Sequence, residues 1–242
     1  MRIPLFMLLV LAPVVAAAYH YGPGQQHLAL DNAQIYIKRA EEQLKHQHYQ
    51  EAVTDYTHAL EAIPTARVDL QRTVRLERAK VLLQSSHLPE AYDELTALND
   101  EAQSAKPAVP ATFAQDLRKT SADAQYYMTW LQRLEGEPRE AWEPDIEASR
   151  QNYKLLEESA REIGDTASAT RFQGDLEAAI RLARLDLSEL QALAIPKQCQ
   201  GCCSGNCKGK CQGKRPGKKN GENKQEDARG ASSGPPPDGK GS

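Results

Sequence analysis

Apolar residues recur at every third or fourth position through residues 31–195, which is the period of an amphipathic helix. The clearest stretch is 40–64, AEEQLKHQHYQEAVTDYTHALEAIP. In it Ala52, Tyr56 and Ala59 fall on one helical face, where small residues let a partner helix approach closely and the tyrosine fills the remaining space. The stretch predicts two short helices that pack against each other.

Polar turns and prolines divide the rest of the pattern in the same way. Gln47-His48, Ser85–His87, Glu135-Gly136 and Gly164 mark turns, and Lys106–Pro110 reads as a linker. An all-α fold of helix–turn–helix hairpins follows. The predicted helices span about 31–46, 49–62, 68–84, 88–105, 112–134, 138–163 and 165–190.

One unit of this pattern resembles a known family. It looks like a single tetratricopeptide repeat, the 34-residue helix–turn–helix unit. The same pattern shifted by 39 residues falls on Ala79, Leu83, Leu88 and Ala91, as a second, diverged repeat, and one or two degenerate units follow. The resemblance, which is to exported bacterial members of the family, implies a right-handed solenoid over residues 31–195. The positions that define the first unit are Ala40, Leu44, Tyr49, Ala52, Tyr56, Ala59 and Pro64.

The resemblance also implies a function. Proteins of this family bind a peptide or a protein segment in a concave groove lined by the first helix of each hairpin, so we expect a non-enzymatic scaffold or adaptor. The clamp that some members use for two carboxylates needs asparagines that are missing here. The groove residues expected by this resemblance are Gln34, Ile37, Lys38, Glu41 and Lys45 from the first unit and Thr73, Leu76, Lys80 and Gln84 from the second.

The first 18 residues have the layout of a secretory signal peptide. Arg2 precedes an apolar run, residues 3–15, that is too short to span a bilayer, and Ala16-Ala17-Ala18 suits cleavage. We therefore expect export to the periplasm or the extracellular space, a position in the cell envelope, and no transmembrane segment after cleavage. Residues 19–30 contain Gly22, Pro23 and Gly24 and show no apolar period, so we predict a disordered lead there.

Residues 196–242 form a low-complexity tail rich in glycine and lysine, predicted to be disordered. The chain holds 30 basic and 33 acidic residues; the segment from Lys197 onward holds ten and four of them, so its net charge is +6 and that of the preceding chain is −9. An acidic, exported body argues against nucleic acid as a partner. The basic tail leaves open a tether to anionic polymers or lipids.

All five cysteines lie in this tail, and their chemistry is open. An odd number of cysteines cannot pair completely within one chain. Three interpretations remain: incidental disulfides in a low-complexity repeat, a soft-metal site for zinc or copper, and a redox role or intermolecular cross-linking. The alternative function is binding of zinc or copper by this tail, with the helical domain as its carrier. Its candidate ligands are Cys199, Cys202, Cys203, Cys207 and Cys211.

No catalytic constellation or cofactor motif is present in the sequence. His46 and His48, two residues apart, are typical of a surface turn rather than of a ligand pair. The aromatic residues fit positions between packed helices. Tyr126 and Tyr127 are adjacent and cannot share one helical face, so we expect one of them to be exposed.

Overall fold

A computed structural model describes residues 23–201, and every regular element in that range is helical. The predicted all-α class is therefore confirmed for this part of the chain, in which no helix is long and apolar enough to cross a membrane. The signal-peptide prediction and the tail from residue 202 onward lie outside the described residues. The helices are α1 Pro23–Lys45, α2 Tyr49–Ala62, α3 Val68–Gln84, α4 Leu88–Ser104, α5 Ala111–Glu135, α6 Arg139–Glu162, α7 Thr166–Arg184 and α8 Leu187–Ala192, followed by a 3₁₀ turn at Lys197–Cys199.

The chain divides into two compact units, residues 1–78 and 79–242. In the first unit α1 packs against α2 through residues without a large side chain. Ala40 of α1 and Ala52 and Ala59 of α2 have no exposed surface, and Tyr56 is 2% exposed. The helices can approach closely at the alanines because no Cβ branch separates them, and Tyr56 fills the space between these contacts.

The second unit is organised around α5. This helix packs against α4 on one side and α6 on another, and also contacts α8 and the 3₁₀ turn. Tyr126 and Trp130 are both fully buried, and the Trp130 indole donates a hydrogen bond to the Tyr126 hydroxyl at 3.2 Å. Tyr127 is buried as well, so the prediction that one of the two tyrosines is exposed was wrong. From Asp116 to Glu135 no residue of α5 is exposed, because its neighbours cover this part of the helix.

The four turns that follow α1, α3, α5 and α6 share one geometry. Each is three residues long, and each contains one residue with positive φ, between 60° and 78°: Gln47, Ser86, Gly136 and Gly164. The N–H of the next residue donates to the carbonyl five positions before it, which is the pattern of a Schellman C-cap. The bonds are His48 to Gln43, His87 to Leu82, Glu137 to Gln132 and Asp165 to Ala160.

Two of these turns are separated by 39 residues, the same distance that separates the two repeat units predicted from the sequence. Gln47 and Ser86 have φ values of 60° and 62°, and the corresponding C-cap bonds are displaced by the same 39 positions. A non-glycine residue in this left-handed region costs free energy, so such residues are uncommon. Their presence at the same place in both turns therefore marks the two turns as equivalent. The local geometry of the two hairpin turns is thus the same.

Two helix boundaries differ from prediction. The first helix begins at Pro23, eight residues before Asp31, so residues 23–30, which we assigned to a disordered lead, are helical. Proline suits the first turn of a helix because its missing N–H would lack an intrahelical partner there. At the other end, the single helix predicted for 165–190 is two helices, α7 and α8, which meet at Asp186.

The break at Asp186 has a local cause. Asp186 and Glu189 form a capping box, in which each side chain accepts the main-chain N–H of the other, at 2.7 and 2.8 Å. The guanidinium of Arg133 donates to the carbonyls of Leu182 and Leu185, at the C-terminal end of α7. These carbonyls have no intrahelical partner, so the buried cation stabilises the helix end.

Candidate functional site

The candidate site is a groove in the first unit between α1 and the start of α3. It consists of two adjoining clefts, of about 600 Å³ and about 450 Å³, that share Leu70 and Thr73. We call them the wide cleft and the acidic cleft, and together the α1–α3 groove. The wide cleft is lined by Leu30, Ala66, Arg67, Val68, Asp69, Leu70 and Thr73. The acidic cleft is lined by Ile37, Glu41, Leu44, Tyr56, Leu70, Thr73, Val74 and Glu77.

The two walls of the groove are single helical faces. On α1 the lining residues are Leu30, Ile37, Glu41 and Leu44, separated by seven, four and three positions, which places them on one side of the helix. Leu30 lies opposite the first residues of α3, and Leu44 lies in the cleft that contains Glu77. The two helices therefore run in the same direction along the groove.

Polar and aromatic contacts join α2 to α1. Arg39 lies 3.6 Å from the carboxylate of buried Asp55, and the rings of Tyr36 and His58 are 5.4 Å apart. The Arg39 guanidinium also lies over the Tyr36 ring, 5.5 Å from its centre. A fixed α2 places Tyr56 at the base of the acidic cleft, where it forms the floor.

Two hydrogen bonds join α2 and its C-terminal end to the α3 wall. The Arg78 guanidinium donates to the Thr57 hydroxyl at 3.3 Å, and the Gln71 amide donates to the carbonyl of Ile63 at 3.4 Å. Both bonds are part-buried. A polar group that loses its partner there costs more free energy than one at an open surface. The two walls are therefore positioned by contacts that do not involve any ligand.

The electrostatics of the acidic cleft are set by two carboxylates. Glu41 lies on the α1 wall and Glu77 on the α3 wall, with the Tyr56 hydroxyl near both. Burial raises the pKa of the Tyr56 phenol far above its usual value, and the negative charges of Glu77 and Glu41 raise this pKa further. Tyr56 consequently stays a neutral hydroxyl that can donate a hydrogen bond at any physiological pH.

The structure brings together three of the predicted groove residues. Ile37, Glu41 and Thr73 line the acidic cleft, and Thr73 also lines the wide one. Leu76 is 1% exposed and lines neither cleft, so it belongs to the core. The others of the first unit, Gln34, Lys38 and Lys45, are exposed but line neither cleft.

The remaining two predicted residues, Lys80 and Gln84, belong to the second unit and are half-buried. The Lys80 ammonium lies 2.6 Å from the carboxylate of Asp116 on α5. This is a contact within the second unit, between the end of α3 and the start of α5.

Sequence reasoning missed ten of the thirteen lining residues, and on α3 the reason is a rotation of the helix face. We expected α3 to present Thr73, Leu76, Lys80 and Gln84, whereas the face that lines the groove continues from Thr73 to Glu77. Burial of Leu76 fixes this rotation, because the apolar residues of α3 have to face the interior. Glu77 lies four positions after Thr73, and this helical spacing was the signal in the sequence that could have placed Glu77 on the same face. The missed residues are Leu30, Leu44, Tyr56, Ala66, Arg67, Val68, Asp69, Leu70, Val74 and Glu77.

Part-buried polar pairs join helices of the second unit. This unit also has a surface cleft of about 390 Å³, lined by Glu177, Ile180, Arg181, Arg184, Leu185 and Glu189. The Tyr92 hydroxyl donates to Asp145 at 2.6 Å, which links α4 to α6. The Tyr153 hydroxyl donates to Asp123 at 2.7 Å, and the Lys119 ammonium lies 3.0 Å from the same carboxylate. These pairs satisfy polar groups inside the bundle and connect its helices.

The first of the five cysteines lies in the core of the second unit. Cys199 is 4% exposed, and residues 196–201 are part of the described fold although we assigned them to the tail. In this position the Cys199 thiol contacts the main chain of α5. The other four cysteines lie outside the described residues, and within 23–201 no group of three or more potential ligands is placed to hold a metal ion.

Compared with protein-family models, with curated proteins and with solved structures, the chain shows no match to any of them.

Proposed function

We propose that this protein is a non-enzymatic scaffold of the cell envelope that binds an extended segment of a partner protein in the α1–α3 groove. The observation that carries the proposal is the continuity of the two clefts through Leu70 and Thr73. Each cleft has the volume of an ordinary ligand pocket, which is roughly 300 to 1,000 Å³. Joined end to end, they suit a linear ligand better than a compact one.

The dimensions of the groove support a peptide as the occupant. Leu30 and Leu44 mark its ends and are 14 positions apart on α1. At a rise of about 1.5 Å per residue, the groove is about 21 Å long. An extended chain covers about 3.3 Å per residue, so the groove accommodates about six residues of a partner.

The chemistry of the lining also suits a protein segment. Leucine, isoleucine and valine side chains supply apolar surface along both walls, while Thr73, Tyr56 and Glu41 supply polar groups. Binding sites of this kind gain affinity from apolar burial and orientation from a few polar contacts.

The resemblance to tetratricopeptide repeats points to the same surface. In that family the groove is lined by the first helix of each hairpin, and here α1 and α3 are the helices that precede the two equivalent turns. The identical turn geometry at a 39-residue offset supports two related hairpins. Export, proposed from residues 1–18, would place this scaffold in the periplasm or outside the cell.

The proposal is tested by selecting a randomised hexapeptide phage library on the immobilised full-length protein. Thr73→Trp fills the junction of the two clefts and should abolish enrichment. Thr54→Trp is the matched control, because Thr54 and Thr73 are both exposed helical threonines whose hydroxyls bond the carbonyl four residues earlier. Thr54 lies on α2, outside both clefts. Peptides that are enriched equally on all three proteins, or on none, would contradict the proposal.

A further inference from the structure

The two ends of the α1–α3 groove differ in charge. The wide cleft carries both signs, with Arg67 and Asp69 among its lining residues, and Asp69 is already 3.3 Å from the Arg72 guanidinium. The acidic cleft is lined by Glu41 and Glu77, and none of its described lining residues is positively charged. The groove therefore has one end of mixed charge and one negative end.

The negative charge of the acidic cleft comes from Glu41 and Glu77. Both residues line the cleft, and their charges raise the pKa of the Tyr56 phenol, which lines it as well. Lys45 lies four positions after Glu41 on the same helix. Its ammonium donates a hydrogen bond to the Glu42 carboxylate at 2.8 Å, and it does not line the cleft. A carboxylate has about four lone-pair sites, so Glu41 and Glu77 can each accept from an incoming cation in addition to any neighbour.

Apolar side chains surround this negative end. Ile37 and Leu44 flank Glu41 on α1, and Val74 lies one turn before Glu77 on α3. Lysine and arginine combine a long apolar stem with a charged head, so either side chain could bury its stem against these residues while its head reaches the carboxylates.

We propose that the groove selects partner segments in which a lysine or arginine lies between apolar residues, with its cationic head between Glu41 and Glu77. This inference rests on the proposed function, because it assigns the partner class of the same site. The Tyr56 hydroxyl would donate to a main-chain carbonyl of the segment rather than to its cation. The wide cleft would hold the remaining residues without a charge preference.

The solvent exposure of Glu41 determines how strongly the groove should prefer a basic residue. Glu41 is exposed to solvent, so its pairing with a cation resembles a surface ion pair more than a buried one. We expect about a 5-fold preference for lysine over its uncharged isostere norleucine at low ionic strength. The preference should nearly vanish at about 1 M salt, where the Debye length is about 3 Å.

The test repeats the hexapeptide selection on the wild type, on Glu41→Gln and on Glu51→Gln. Glu51 is an exposed glutamate on α2 outside the groove, which makes it the matched control. Peptides enriched on the wild type and on Glu51→Gln should contain lysine or arginine beside apolar residues, and Glu41→Gln should lose that bias while still enriching apolar peptides. Titration of the best peptide and its norleucine counterpart then measures the preference directly.

The outcomes separate the two proposals. Enrichment of apolar or acidic peptides without a basic residue, blocked by Thr73→Trp, would overturn the cation preference and leave the groove as a binding site. A basic bias that persists unchanged in Glu41→Gln would also overturn it. Absence of any enrichment that Thr73→Trp blocks would overturn both.

Discussion

The thiol of Cys199 donates a hydrogen bond to the main-chain carbonyl oxygen of Tyr127, with sulfur and oxygen 3.4 Å apart. Tyr127 lies on α5, the helix around which the second unit is organised, and both residues are buried. The 3₁₀ turn that carries Cys199 is therefore packed against the centre of the unit. One of the five cysteines is a core residue, and an even number, four, is left for disulfide or metal chemistry.

Burial of Cys199 predicts a protected thiol. In a variant that keeps Cys199 and carries serine at Cys202, Cys203, Cys207 and Cys211, labelling by a disulfide reagent should be at least about 100-fold slower in the folded protein than in urea, because the turn has to open first. Stopped-flow absorbance measures both rates, with a short unstructured cysteine peptide as the reference. Equal rates in buffer and in urea would show that Cys199 is accessible.

Removing the Tyr92 hydroxyl should destabilise the second unit. Tyr92→Phe leaves the part-buried Asp145 carboxylate without its 2.6 Å donor, and we expect a loss of about 1–3 kcal/mol in the free energy of unfolding. Burial raises the pKa of Asp145, and this raised pKa should rise further in the variant. Ionised Asp145 then destabilises the fold at neutral pH, so the loss should be smaller at about pH 4, where the carboxyl group begins to be protonated.

Urea unfolding at both pH values measures this effect. Tyr49→Phe is the control, since among the described residues the Tyr49 hydroxyl has no hydrogen bond or ion pair. A Tyr92→Phe variant as stable as the control at neutral pH would contradict the assigned role of the Tyr92–Asp145 bond.

The buried tyrosines predict unfolding at alkaline pH. Burial raises the pKa values of Tyr126, Tyr127 and Tyr153 well above 10. A raised folded-state pKa means that stability is fully present below the unfolded value, about 10, and is lost as pH rises through and above it. Each tyrosine should contribute a loss of about 1.4 kcal/mol per pH unit in that range.

Urea unfolding between about pH 9 and pH 11, followed with tyrosinate absorbance, tests the alkaline prediction. The absorbance of these three residues should appear together with unfolding, and Tyr153→Phe should make the pH dependence shallower. Gradual ionisation of all tyrosines at about pH 10 in a protein that stays folded is the contrary result.

The shared turn geometry predicts opposite effects of glycine at equivalent places. Gln47→Gly and Ser86→Gly should each raise the free energy of unfolding by about 0.5–1 kcal/mol, because glycine adopts positive φ without steric cost. Gly136→Ala and Gly164→Ala should each lower it by about 1–2 kcal/mol through backbone strain alone, since nothing lies within 4 Å of the added Cβ.

A helical glycine supplies the control for these variants. Gly174 lies within α7 in an open environment, and Gly174→Ala should stabilise the protein by about 1 kcal/mol. Thermal or urea unfolding of the five variants compares them. Destabilisation by both Gln47→Gly and Ser86→Gly would contradict the assignment of a common turn.

Local signals in the sequence were sufficient for four of the turns between helices, although the start of α1 and the break at Asp186 were missed. The breaks at Gln47, Ser86, Gly136 and Gly164 lie where the apolar period stops, and each turn is closed by neighbouring main-chain groups. Such turns depend on residues within six positions of one another. Their positions can therefore be read without knowledge of the tertiary structure.

Features that depend on distant residues were not predictable in this way. Tyr126 and Tyr127 are both buried because α5 has several neighbours, and Cys199 is buried because the chain returns to that helix 72 residues later. Two clefts lie between the helices that we expected to line a groove, but Leu76 is buried in the core because helical spacing alone does not fix the rotation of α3. The order of neighbours around a helix is a property of the whole fold.

The most direct test of the groove as a binding site is calorimetric titration of the best enriched hexapeptide into the wild type, Thr73→Trp and Thr54→Trp. We predict the same Kd for the wild type and Thr54→Trp and a Kd at least about tenfold higher for Thr73→Trp, which corresponds to about 1.4 kcal/mol of lost binding free energy. Circular dichroism confirms that each variant is folded. An unchanged Kd in folded Thr73→Trp would contradict the assignment of the α1–α3 groove as the binding site.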